Sequence, residues 1–308
     1  YTHPPLAEQF EERGIRQIEL DVFADPEGGR FAEPAIRKLA ALTGKDVGPD
    51  PDEGGKLRRP GMKVLHVAGI DYRTTAPTLV DALEQVRGWS KAHPRHVPIL
   101  ILLELKTPDE PRLAEIVPFD APRLAALEAE ILSVFPRPEI LTPDDVRGDS
   151  DTLPDALRTR GWPRLDDVRG RVMFALDNTG RERDAYLEGH RALAGRLMFA
   201  SVDEDDPAAA WFKRNDPIGQ HDEIRRLVAA GFLVRTRADA DTRQARDGST
   251  AMRDKALASG AQFVSTDYPA PDPRFTGYRV ELPGRAVARP NPVSGDRSRD
   301  GLDLERGR

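Results

Sequence analysis

The chain contains no cysteine and only six histidines among its 308 residues. Disulfide staples, thiolate metal sites and cysteine nucleophiles are therefore excluded. No apolar run reaches the roughly 20 residues that a membrane-spanning helix requires. The opening Tyr1-Thr2-His3-Pro4-Pro5 has none of the features of a signal peptide, an absence that a processed secreted protein would share. There is no excess of positive charge: the net charge of −6 argues against nucleic acid as the main partner. What is present is 39% hydrophobic and 32% charged residues, enough for a large core beneath a well-charged surface. The length suits one α/β barrel with insertions.

Three apolar stretches end in acidic or imidazole side chains: Ile15 to Asp21, Lys63 to His66, and Ile99 to Lys106. Residues two apart in a strand share a face, so Glu19 points with Asp21 and Glu104 with Lys106. Polar residues at the C-terminal ends of apolar strands mark the active face of a (β/α)8 barrel. The pattern continues along the chain. Helices are expected at Leu6 to Arg13, Thr75 to His93, Asp120 to Phe135, His221 to Ala230 and Ala251 to Ser259. Further strands are expected at Arg171 to Asp177, Leu197 to Val202, Phe232 to Arg237 and Gln262 to Asp267. These make seven strands, and the eighth of a TIM-type barrel is expected immediately before Tyr1. Residues Pro26 to Met62 read as a long loop over the barrel mouth, with a short helix at Pro34 to Leu42. Residues 1–289 form one domain in this reading. Residues 290–308 read as a polar, flexible tail. No apolar surface helix for gripping a bilayer stands out.

Glu19, Asp21 and Glu104 are hard oxygen donors, and without cysteine or a spaced histidine pair they suit Ca2+ or Mg2+ rather than zinc. The alternative is a structural network with Lys106, Arg235 or Arg237. His66, at the end of its strand, is placed to exchange a proton near neutral pH. Lys106 and Arg237 could contact a phosphate, with Arg suited to bidentate binding. Asp177 and Asp267 end later strands and could bind sugar hydroxyls or hold a basic residue. His3 is ambiguous, while His93, His96, His190 and His221 read as structural or surface groups.

The segments Ile15 to Val22, Val64-Leu65-His66-Val67, Pro98 to Lys106 and Ser265-Thr266-Asp267-Tyr268-Pro269 resemble the bacterial calcium-dependent phosphatidylinositol-specific phospholipase C family. The resemblance runs in order over nearly the whole chain. It implies that Glu19, Asp21 and Glu104 bind Ca2+ and that His66 is the second catalytic histidine. The family's first histidine and its neighbouring asparagine would precede residue 1, with Tyr1 matching the tyrosine of that motif. The implied reaction is attack of the inositol 2-hydroxyl on phosphorus, giving a cyclic inositol phosphate and diacylglycerol. Lys106, Arg237 and Asp267 would contact the substrate, a phosphoinositide or related phosphodiester, with transient contact at a membrane surface. A secreted or periplasmic location follows from the family and from its need for calcium. Two alternatives stand beside this one. A metal-dependent glycerophosphodiester phosphodiesterase shares the Glu-x-Asp strand, but its usual His-Asp dipeptide is replaced here by His66-Val67. A non-catalytic inositol-lipid or glycan binding module would keep the calcium site and lack the first histidine.

Overall fold

In the computed structural model, residues 3–46, 48–108 and 115–307 are described. The strands are β1 (Gln17–Asp25), β2 (Gly61–Val64), β3 (Ile99–Leu105), β4 (Val172–Leu176), β5 (Met198–Ala200), β6 (Trp211–Lys213), β7 (Leu233–Arg237) and β8 (Phe263–Ser265). Strand β3 is buried along nearly its whole length, as expected of an aliphatic strand covered on both faces. Helix α1 (Leu6–Arg13) precedes β1, and between the strands run α2 (Ala35–Leu42), α3 (Leu79–Ala92), α4 (Ala121–Val134) and the later helices His221–Ala229 and Ala251–Ser259. Helix α3 begins where the Thr78 hydroxyl accepts from the Asp81 amide at 3.1 Å, a side-chain N-cap. It buries Leu79, Ala82, Leu83, Val86 and Trp89 against the sheet.

The α/β alternation is as expected, but among the described residues no backbone ladder closes the strands into the expected barrel. The described strands form a five-stranded sheet in the order β2-β1-β3-β4-β5 and a three-stranded sheet in the order β6-β7-β8. Side chains stitch the two seams between them. Gln17 donates to the Ser265 hydroxyl at 2.7 Å across the β1–β8 seam. At the other seam the Lys213 amide donates to the Ser201 hydroxyl at 3.1 Å. The three-residue strands β5 and β6 are too short to carry a longer ladder. One hydrophobic core nevertheless spans both sheets, including Leu102, Phe174, Phe199, Phe212 and Val234.

Three further expectations are corrected. Strand β6 was not foreseen, because Trp211-Phe212-Lys213 is too brief to show a period. The strand around Lys63 is antiparallel to β1 and ends at Val64, two residues before His66. The tail after Pro290 is docked: Glu305 pairs with Arg16 and accepts the Val97 amide at 3.0 Å, and the Leu304 amide donates to Ala288 O at 2.8 Å. Its polar residues are used as ion-pair and hydrogen-bond partners, which composition alone reads as looseness. The strand expected before Tyr1 lies outside the described residues.

Candidate active site

Strands β1 and β3 set the site. They are parallel neighbours in a register that places Asp21 beside Glu104. Glu19 lies one pleat below Asp21 on the same face. One carboxylate oxygen from each of Glu19, Asp21 and Glu104 lies within 4.8 Å of the other two. Lys106, two residues after Glu104, is buried, and its ammonium sits 3.1 Å from Asp21 and 3.0 Å from Glu104. From β7, the buried Arg235 reaches across the interior to Glu19 at 2.7 Å. Its other nitrogens donate to Ser265 at 2.7 Å and Asn215 at 2.6 Å, which fixes the guanidinium.

This packing shifts the acids. Burial raises the Glu19 pKa, although Arg235 pulls it down. Burial pushes Asp21 up to about 8 against the pull of Lys106, with Glu104 adding to the rise. For Lys106, burial lowers the pKa, but Asp21 and Glu104 outweigh it and hold the ammonium above its ordinary value. Three carboxylates face two fixed cations, so full ionisation leaves surplus negative charge. Hard oxygen donors with that surplus fit Ca2+.

His66 stands at the rim because β2 runs back down into the mouth. The Leu65 amide donates to Asp21 O at 3.3 Å, which sets the following histidine near the carboxylates' level. Its Nδ1 lies 2.8 Å from Asp71 Oδ2. An acidic acceptor there makes Nδ1 the protonated nitrogen and leaves Nε2 as the basic one. Asp71 is itself held by a tight turn, in which the Val67 and Asp71 amides each donate to the other's carbonyl at 3.0 and 3.1 Å.

Arg237 and Asp267 line the same cleft of about 2000 Å³, which runs along the β1–β8 seam and also includes His3. Asp177 faces the same interior, where its charge acts on Glu19 and Arg235. Its carboxylate is taken by Lys213 at 2.7 Å, the holding role that was its alternative. His96 and His93 are structural, bonded to Ser90 at 2.7 Å and to the Trp89 carbonyl at 2.8 Å. Asp71 and Asn215 were missed: each lies in a loop among other polar residues, with no spacing signal to separate it from its neighbours.

Residues 1–292 match the family described as Ca2+-dependent phosphoinositide phospholipase C. The chain belongs to this family. Its fold is similar to that of a Ca2+-dependent phosphatidylinositol-specific phospholipase C from Streptomyces antibioticus, with 17% identity over 84% of this chain and 87% of that one, at a TM-score of 0.58. A calcium-dependent phosphoinositol-specific phospholipase C from Pseudomonas sp., solved with myoinositol, is similar at 17% identity over 90% and 91% of the two chains, with a TM-score of 0.54. No curated protein matches.

Proposed function

We propose that this family member is a Ca2+-dependent phosphodiesterase that cleaves phosphatidylinositol-type lipids to a cyclic inositol phosphate and diacylglycerol. The observation that carries this reading is the convergence of Glu19, Asp21 and Glu104 within 4.8 Å at the ends of two parallel strands. Glu19, Asp21 and Glu104 would hold the ion. When bound, Ca2+ supplies positive charge that acidifies a nearby hydroxyl and offsets charge on phosphoryl oxygens.

The chain's own residues supply the rest. In this reading the inositol 2-hydroxyl gives its proton to the first histidine that the family resemblance implies, and its oxygen bonds to phosphorus as the phosphorus–glycerol oxygen bond breaks. His66, as imidazolium, gives a proton to the departing glycerol oxygen and then takes one as base if water opens the ring. Asp71 keeps the imidazole in the tautomer this needs. Lys106 and Arg237 would meet the phosphate, and Asp267 the ring hydroxyls. In this reading residues 1–289 act as one barrel unit of (β/α)8 type, with the stitched seams standing in for backbone ladders. The calcium requirement suits a secreted or periplasmic protein.

Phosphorus NMR of the protein with phosphatidylinositol tests the reading. A cyclic inositol phosphate resonance is expected in calcium and is expected to vanish in chelator. Glycerol phosphate as product, or turnover indifferent to chelator, would overturn it.

A further inference from the structure

Asp239 lies just beyond β7, where it continues the two-residue spacing of Arg235 and Arg237. The Ala238 amide donates to Ser265 O at 2.8 Å, so the pairing with β8 runs on past the end of β7. Asp239 is then buried, with 4% of its surface exposed. Its carboxylate gathers three donors. Oδ1 accepts the Asp267 amide at 2.9 Å. Oδ2 accepts the Thr266 hydroxyl, and the Tyr278 hydroxyl at 3.1 Å. The Thr266 oxygen in turn accepts the Tyr268 amide at 2.8 Å. Thr266, Asp267 and Tyr268 therefore all hang from one side chain.

The far side of this turn is fixed by packing. Tyr268 is buried, with its ring nearly edge-on to Tyr278 at 5.8 Å and to Phe275 at 6.2 Å. The Val280 amide donates to Tyr268 O at 2.9 Å. The Tyr278 hydroxyl also lies 3.0 Å from Ala238 O, which ties the two supports together. Between half-buried Thr266 and buried Tyr268, Asp267 alone is exposed. It lines the cleft that holds His66 and His3, and its charge acts on His3.

An anion at position 239 is costly for the fold. Its three donors are neutral, and among the described residues no ion pair includes it. Burial raises its pKa, and the bonds from Thr266, Asp267 and Tyr278 pull against that rise. A neutral side chain of similar volume would fill the space with less desolvation. What the carboxylate adds is direction, because bonds to an anion are shorter and stronger than neutral ones. Those bonds converge on the turn that carries the exposed Asp267.

We propose that Asp239 is a positioning residue of the active site: through the Thr266 hydroxyl and the Asp267 amide it holds the Asp267 carboxylate in the cleft where the inositol ring hydroxyls bind. The inference rests on the phosphatidylinositol reading for what Asp267 contacts. Asp239 itself touches no substrate and acts only through the turn.

The experiment compares the wild-type protein with Asp239→Asn, Asp267→Asn and the double variant, on monomeric dihexanoyl phosphatidylinositol. Each single variant is expected to raise KM about tenfold, the scale of a lost hydrogen bond to a charged group, with kcat within about twofold of wild type. The double variant should be no worse than Asp267→Asn alone, because the two residues act as a unit. Losses that multiply overturn the proposal, as does a wild-type KM in Asp239→Asn. Calcium affinity by calorimetry should be the same in every variant, and a change with Asp239→Asn would overturn the assignment to Asp267. Hydrogen exchange at the Asp267 amide should be about tenfold faster in Asp239→Asn, and equal exchange also overturns the proposal. Thr266→Val cuts the same link without touching the buried charge, and it decides the question if Asp239→Asn does not fold. Its KM should rise in the wild-type background and stay level in the Asp267→Asn background; a rise in both overturns the proposal. A wild-type protein that binds myo-inositol 1-phosphate but does not cleave the lipid defeats the phospholipase reading alone, and the same cycle on the binding constants then decides Asp239.

Discussion

The decisive contacts at the residue scale are short polar ones. Glu19, Asp21, Glu104 and Lys106 were legible because strand periodicity fixes which side chains share a face. The partners that tune them were legible only as one of several alternatives, as Arg235 was, or not at all, as Asp71 was. Arg235 reaches Glu19 from a strand more than two hundred residues away, as the sequence separation of 216 records. Asp71 reaches His66 from a five-residue turn of no recognisable pattern. The dyad gives a sharp expectation. Asp71→Asn leaves the Ca2+ ligands intact but removes the anionic acceptor that fixes the imidazole. Turnover should fall roughly 10- to 100-fold, the usual cost of losing an orienting hydrogen bond. Calcium affinity by calorimetry should be unchanged. Glu104→Gln should do the opposite, weakening calcium binding and turnover together. If Asp71→Asn leaves turnover at the wild-type level, Asp71 has no part in positioning His66.

The short strand β2 is the element that departs most from the expected pattern. Its apolar run, Val64-Leu65, announces a strand but carries no information on direction. Direction comes from what the flanking chain can bury. Lys63, wholly buried, donates to Arg59 O at 2.7 Å and Gly61 O at 2.8 Å and lies 3.8 Å from the buried Asp25. From α4, Glu130 accepts the Met62 amide at 2.8 Å. Gly61 has a φ of 126°, a backbone that residues with a Cβ rarely adopt, and a Cβ there would stand 2.9 Å from that Glu130 oxygen. These bonds clamp β2 antiparallel on β1 and thereby set the height of His66. Lys63→Met removes the cation and leaves Asp25 buried beside no opposite charge. It should cost about 3 kcal/mol of stability, the scale of a broken buried pair. Denaturant unfolding measures this; an unchanged midpoint would show that the clamp lies elsewhere. Turnover should also fall, because the strand that leads into His66 is no longer pinned.

Across the whole molecule, the same carboxylates couple folding, protonation and metal binding. Asp21 has its pKa raised to about 8 by burial, against an unfolded value near 4. A raised acid pKa means that the folded state binds more protons than the unfolded state between those values. Its contribution to metal-free stability is therefore complete below about pH 4 and is lost as pH climbs through 8. Calcium acts in the other direction. It needs the ionised carboxylate, so protons compete with it, and its affinity should rise about tenfold per pH unit up to about 8. At a hundred times its dissociation constant, a ligand of the folded state adds about 2.7 kcal/mol. In a chain of this size that raises the melting temperature by roughly 5 °C. The gap between melting temperatures in fixed calcium and in chelator should thus widen from pH 6 to pH 8. The widening should come from the chelated side, that protein losing stability while the calcium-loaded one, with Asp21 ionised both folded and unfolded, stays level. Scanning calorimetry at several pH values reads the two curves directly. A gap that stays constant with pH would mean that Asp21 is not the proton-linked ligand, and no gap at millimolar calcium would remove the ion from the site.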